Sequence, residues 1–121
     1  MVELKRDVEK YVRDRAKARY QKGTECFICG STEYLDFHHF YSLSPLLHQW
    51  MKTNKLVGID VIDFRDEFIE THLAELYEHT VTLCHTHHLQ LHSVYGKNPT
   101  LGTAKKQQRW VVIQRDKNGL V

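Results

Sequence analysis

No stretch of this 121-residue chain approaches the ~18 consecutive apolar residues of a membrane span. Its opening segment, MVELKRDVEK, also lacks the apolar core of a secretory signal. Both absences point to a soluble protein of the cytoplasm. Cysteine is scarce, with Cys26, Cys29 and Cys84 only. An odd number with one C-x-x-C spacing argues against a disulfide framework and for thiols free to ligate metal. There is no internal repeat and no low-complexity segment, and the length leaves room for one modest core, so residues 1–121 read as a single domain.

Net charge is also small, +2, yet its distribution is uneven. Residues 1–22 carry a net +4 and residues 93–121 a net +5, whereas residues 59–79 carry −6. Clustered Lys and Arg at both ends suit contact with nucleic-acid phosphates, although solvated helix faces produce the same pattern.

Apolar residues Leu4, Val8, Val12, Ala16 and Tyr20 recur every fourth position before Gly23, which predicts a basic N-terminal helix over 3–20 within the segment 1–22. CFICG at 26–30 forms a tight knuckle. EYLDFHHF at 33–40 alternates as a strand, with Leu35, Phe37 and His39 on one side and Asp36 and His38 on the other. A helical insert at 41–78 follows. Ser44-Pro45 opens its first helix to about Lys52, and Asp63 caps a second reaching about His79 that buries Phe64, Phe68, Leu73, Leu76 and Tyr77. TVTL at 80–83 predicts a short strand, and His85–Tyr95 a helix closed by Gly96. In the basic tail, 97–121, Thr103 caps a turn of helix and WVVIQ at 110–114 predicts a final strand before an Asn118-Gly119 turn. The fold class is α+β.

One cysteine and four histidines fall inside LCHTHHLQLH, residues 83–92. A closed zinc site needs four N or S ligands, commonly as two pairs each separated by two residues. Cys26-x-x-Cys29 is one pair and Cys84-x-x-His87 the matching one, giving a Cys3His structural zinc site; buried cysteines without metal are the alternative. His88 and His92, at i and i+4, share a helix face and are spaced to grip one cation. A bare histidine pair at that spacing is more often surface than ligand.

The stretches CFIC, DFHHF and TVTLCHTHHLQLH, in that order, resemble the HNH endonuclease family, and a small free-standing member resembles those encoded by bacteriophages. The resemblance covers residues 26–40 and 79–92. It implies a ββα-metal (His-Me finger) core and hydrolysis of DNA phosphodiester bonds. His38 would be a ligand of a catalytic divalent cation, completed by His88 and His92, and His39 the general base. His79 stands where the family usually has asparagine; its ring is expected to orient the insert or His39. Three imidazoles favour Zn, Ni, Co or Mn over Mg, though supply in the cell matters too.

DNA, duplex or branched, is the expected partner, with Lys105, Lys106, Arg109 and Arg115 contacting phosphates and Trp110 beside them; no membrane or small-molecule substrate is expected. The competing reading is a non-catalytic, zinc-stabilised nucleic-acid-binding module. It accounts for the cysteines and the basic tail but leaves His38, His39, His88 and His92 without a purpose. An adaptor built on the acidic 63–78 helix is a third reading, resting on a charge run that is usually a solvated face.

Overall fold

The computed structural model describes residues 8–57 and 63–120. Helix α1, Val8–Lys17, buries Val12 and Ala16, two members of the every-fourth-residue series; the first turn of the helix expected from Glu3 lies outside the described residues. The helix ends at Lys17, earlier than expected. There the amides of Ala18, Arg19 and Tyr20 each donate to a carbonyl three residues back, which tightens the chain and turns it away. Tyr20 therefore leaves the helical face and stacks on Phe37 at 4.7 Å between ring centroids. Gly23 then passes so close to the sheet that its amide donates to Thr82 Oγ1 at 2.7 Å. A Cβ at Gly23 would lie 3.1 Å from that oxygen.

Strand β1, Leu35–His39, pairs antiparallel with β2, Thr80–Cys84. Leu35 lies opposite Cys84, Phe37 opposite Thr82 and His39 opposite Thr80. The pleat sends alternate side chains to opposite faces, so Asp36 and His38 share one face while Phe37 and His39 share the other. Between the strands run α2, Leu43–Thr53, and α3, Arg65–Thr71. A π-helical turn over Ala74–Glu78 completes the connection. Apolar residues of α1, α2, α3 and the π-turn, with Leu47, Phe68 and Leu76 fully buried, make one core.

Two expectations fail here. The continuous helix from Asp63 to His79 is broken at His72, whose φ of −116° and ψ of 32° leave the helical region. The Phe68 carbonyl accepts both the His72 amide, at 3.1 Å, and the His72 ring nitrogen Nδ1, at 2.8 Å, so the ring closes the last turn of α3. Phe64, expected in the core, occupies the N-cap position of α3 and is 42% exposed.

Helix α4, His85–Tyr95, follows β2 directly and ends at Gly96, whose φ of 91° favours glycine, as the spacing predicts. A short 3₁₀ turn at Leu101–Thr103 leads into α5, Ala104–Lys117. The strand expected at 110–114 does not form either, since those residues lie within α5. Ala104, Gln107 and Val111 are buried at helical spacing, while Val112 and Ile113 are exposed; packing of one helical face overrides the β preference of the branched run. Asn118-Gly119 is consequently a helix terminus and not a hairpin turn: Gly119 has φ 78° and donates its amide to the Asp116 carbonyl. A second core joins Ile28, Phe40, Leu83, Leu91, Ala104 and Val111. Among the described residues no helix is long and apolar enough to cross a membrane.

Candidate functional site

The knuckle after Gly23 and the start of α4 meet at four ligand atoms. The Sγ atoms of Cys26, Cys29 and Cys84 and one ring nitrogen of His87 all lie within 4.8 Å of one another. Sγ of Cys29 is 3.9 Å from Sγ of Cys84, and His87 Nδ1 is 3.2 Å from Cys84 Sγ and 3.8 Å from Cys26 Sγ. A tetrahedral ion with metal–sulfur bonds of ~2.3 Å separates its sulfurs by about 3.8 Å, so the cluster has the dimensions of a zinc site. Its electrostatics suit a cation as well. Burial, reinforced by the neighbouring Cys26 and Cys84 sulfurs, pushes the Cys29 thiol up to about 11. Burial works against ionisation of Cys26 too, but backbone amides around it prevail and hold that thiol below its usual value. Three thiolates so close together form only around a positive ion.

On a neighbouring side of α4's first turns, His38, His88 and His92 converge. His88 Nε2 lies 3.1 Å from His38 Nδ1 and 3.1 Å from His92 Nε2. The outward nitrogen of each ring faces an acceptor. His92 Nδ1 is 2.8 Å from the Gly96 carbonyl, His88 Nδ1 is 3.0 Å from Asp36 Oδ2, and His38 Nε2 is 2.8 Å from Gln107 Oε1. The Gln107 amide is itself oriented, because its Nε2 donates to Thr103 Oγ1 and to the Phe40 carbonyl. Each outward nitrogen must therefore carry the ring's proton and donate it, which leaves a lone pair on each inward nitrogen. Three lone pairs aimed at one point repel unless a cation lies between them. The arrangement fits a divalent metal held by three neutral imidazoles.

Two of the rings, those of His38 and His88, are also kept neutral by their surroundings. Burial lowers His38 to about 4 and lowers His88 below the ordinary imidazole value. Burial would raise Asp36, yet hydrogen bonds from His85 and His88 outweigh it and hold the carboxylate ionised.

His39, on the other face of β1, packs against Tyr20 at 4.7 Å and Phe37 at 5.1 Å. Its Nε2 donates to the Leu76 carbonyl of the π-turn at 2.8 Å, so Nδ1 holds the lone pair. Burial lowers its proton affinity too. His38, His39, His88 and His92 all line one groove of about 1230 Å³, whose walls include Arg13 and Lys17 of α1 and Lys97. An imidazole able to accept a proton thus shares a solvent-accessible groove with a triad able to hold a cation.

Residues 2–119 match the model of the phage T5 nicking endonuclease family, described as the nicking endonuclease family. The chain belongs to that family. Membership indicates a DNA-cleaving enzyme. No solved structure matches the chain.

For this nicking endonuclease family chain, the structure brings together the four residues grouped by spacing, Cys26, Cys29, Cys84 and His87, and sets His38, which the resemblance implied, beside the spaced pair His88 and His92. His79 is exposed, its ring 5.6 Å from that of Tyr41; the hydrogen bond holding His39 comes instead from Leu76, three residues earlier. Lys105, Lys106 and Arg109 are exposed on α5 and do not line the groove. Arg115 donates to the Phe27 carbonyl at 2.6 Å and lies over the Phe27 ring, fastening α5 to the knuckle. Trp110 is partly buried against the second core.

Asp36 and Gln107, which set two of the three tautomers, were not singled out by motif. Asp36 precedes the His-His pair on the His38 face of β1, which was a usable signal. Gln107 gave none, as it reaches His38 from 69 residues away.

Proposed function

We propose that this chain is a metal-dependent endonuclease of the HNH type that hydrolyses DNA phosphodiester bonds, acting as one domain over residues 1–121. Antiparallel β1 and β2 followed directly by α4 support the ββα-metal reading of the fold. The observation that carries the proposal is the convergence of three proton-free imidazole nitrogens in the groove that His39 also lines. A module that only bound nucleic acid would have no use for that arrangement.

In this mechanism His38, His88 and His92 hold one divalent cation, and Cys26, Cys29, Cys84 and His87 hold a structural zinc. The cation, when bound, polarises the scissile phosphate and offsets the charge that develops on the leaving 3′ oxygen. His39 supplies the general base. Its Nε2 proton is committed to the Leu76 carbonyl, so Nδ1 is the atom that takes the proton from the attacking water. Burial keeps that nitrogen unprotonated at neutral pH. Three imidazole donors favour Zn, Ni, Co or Mn over Mg. His79 would then brace the π-turn that presents Leu76, through its backbone: its amide donates to the Ala74 carbonyl and its carbonyl accepts from Phe40. The exposed cations Lys105, Lys106 and Arg109 contribute phosphate contacts outside the groove.

Plasmid nicking by the purified protein, with EDTA or with Mg, Mn, Ni or Zn and beside His39→Ala, tests the proposal. Cleavage that needs a divalent ion and disappears in the variant is expected. Cleavage that survives exhaustive chelation rules out the one-metal mechanism.

A further inference from the structure

A second feature borders the groove and has no role in the reaction above. Tyr34, the residue before β1, has φ 52°, in the left-handed region that a bulky side chain rarely adopts. It is also the most exposed large apolar residue described, at 83%. The fold therefore accepts backbone strain in order to hold an aromatic ring in water. Its position is fixed from both sides, by β1 and by its carbonyl, which accepts the His85 amide at 2.7 Å.

The ring flanks a shallow pocket of about 310 Å³ lined by Ser31, Glu33, Tyr34, Cys84, His85 and Thr86. His85 belongs to this pocket and to the catalytic groove alike, so a strand lying in the groove can continue into the pocket. The lining holds no Lys or Arg, and Glu33 would repel a phosphate. What it offers is the face of an aromatic ring, two hydroxyls and a carboxylate that accepts hydrogen bonds. These recognise an uncharged, planar group bearing N–H donors.

We propose that Tyr34 is a stacking platform for a nucleobase of the bound strand a short way along from the cleaved phosphate, with Ser31, Glu33 and Thr86 bonding that base's edge. Bases stack on exposed tyrosines irrespective of identity, while a carboxylate favours bases with an exocyclic amino group. The enzyme would then engage an unstacked base, and a preference for the nucleotide at that position would originate here. The assignment rests on the nuclease reading for its substrate but not on the identity of the metal or base.

The test uses Tyr34→Gly, Tyr34→Ala and Tyr34→Phe in the full chain. Glycine suits φ 52°, so Tyr34→Gly should keep or raise Tm while raising KM for plasmid nicking about tenfold at nearly unchanged kcat. Tyr34→Ala should raise KM similarly, and Tyr34→Phe should remain close to wild type. Photo-cross-linking to bromouracil-substituted DNA in EDTA, mapped by mass spectrometry, gives a readout independent of cleavage and should mark Tyr34. If wild type nicks DNA while Tyr34→Gly keeps the wild-type KM and no cross-link reaches Tyr34, the stacking role is overturned and the nuclease stands. A cross-link at Tyr34 in a wild type that never nicks leaves the stacking site and removes the nuclease. Absence of any DNA binding removes both.

Discussion

His88 Nδ1 and Asp36 Oδ2 lie 3.0 Å apart, one on α4 and one on β1, 52 residues distant in sequence. The same carboxylate oxygen accepts from His85 Nδ1, also at 3.0 Å. A single oxygen therefore fixes the tautomer of a candidate metal-ligating ring and anchors the start of the helix that carries it.

Replacing Asp36 by Ala should weaken binding of Mn or Ni by about 10- to 100-fold, the usual loss when an outer-shell partner of a histidine ligand is removed. Asp36→Asn keeps an acceptor oxygen and should recover much of the affinity. Isothermal titration with each metal checks this; equal affinity in Asp36→Ala and wild type would show that His88 needs no external orientation.

Gln107 makes the corresponding bond to His38 from a fully buried position. Gln107→Leu should weaken metal binding and also destabilise the fold by about 1–3 kcal/mol, because the Phe40 carbonyl and His38 Nε2 lose their partner. Gln107→Glu retains an acceptor for His38 and should bind metal at least as tightly as wild type. Chemical denaturation read beside metal titration separates the two effects.

His39→Ala should lower nicking by about 10²- to 10⁴-fold with metal affinity intact. If the variant loses metal while His38→Ala retains it, the roles of the two histidines are reversed.

Acid should act on both activity and stability. His38 and His39 have lowered proton affinity in the fold, so the folded state disfavours their protonation. Their neutral forms cost nothing above the unfolded value near 6.5, and stability is lost as pH falls from there toward the folded value of about 4 for His38, on the order of 3 kcal/mol in all. Thermal melts in EDTA should show Tm falling through that window, and His38→Phe should flatten the decline. Nicking should persist below pH 6.5 before it falls.

Cys84→Ser should reduce bound zinc and abolish nicking together, since Cys84 ends β2 immediately before the helix bearing His88 and His92. Elemental analysis giving one equivalent of zinc in wild type and little in the variant is the expected result; full zinc occupancy in Cys84→Ser would show that another residue completes the cluster.

Legibility from sequence followed the range of the interactions. Cys84, His87, His88 and His92 stand within nine positions on one strand end and one helix, so local periodicity displayed them; the C-x-x-C pair and the adjacent histidines were equally compact. Gln107 acts through contacts made only when β1 and α5 are assembled, and the sequence carries no trace of that, whereas Asp36, which bonds His85 and His88, stands just before the adjacent histidines of β1. WVVIQ misled because three branched residues favour extended backbone in isolation, and only the burial of Val111 beside Gln107 and Ala104 makes them helical. The break at His72 left no mark in the apolar repeat, which runs on through Leu73, Leu76 and Tyr77.

His87 and His88 are consecutive, and one belongs to the sulfur cluster while the other belongs to the imidazole triad. Successive helical residues are rotated by about 100°, so the same peptide unit sets the angle between the two ligand groups. A single residue inserted between His87 and His88 would turn one group away while the other stayed in place, and one inserted or deleted elsewhere from Cys84 to His92 would break the spacing within a group. Drift in chain length is thus shut out of this segment and confined to surface connections, where loops can grow or shrink without turning the helix that both groups share.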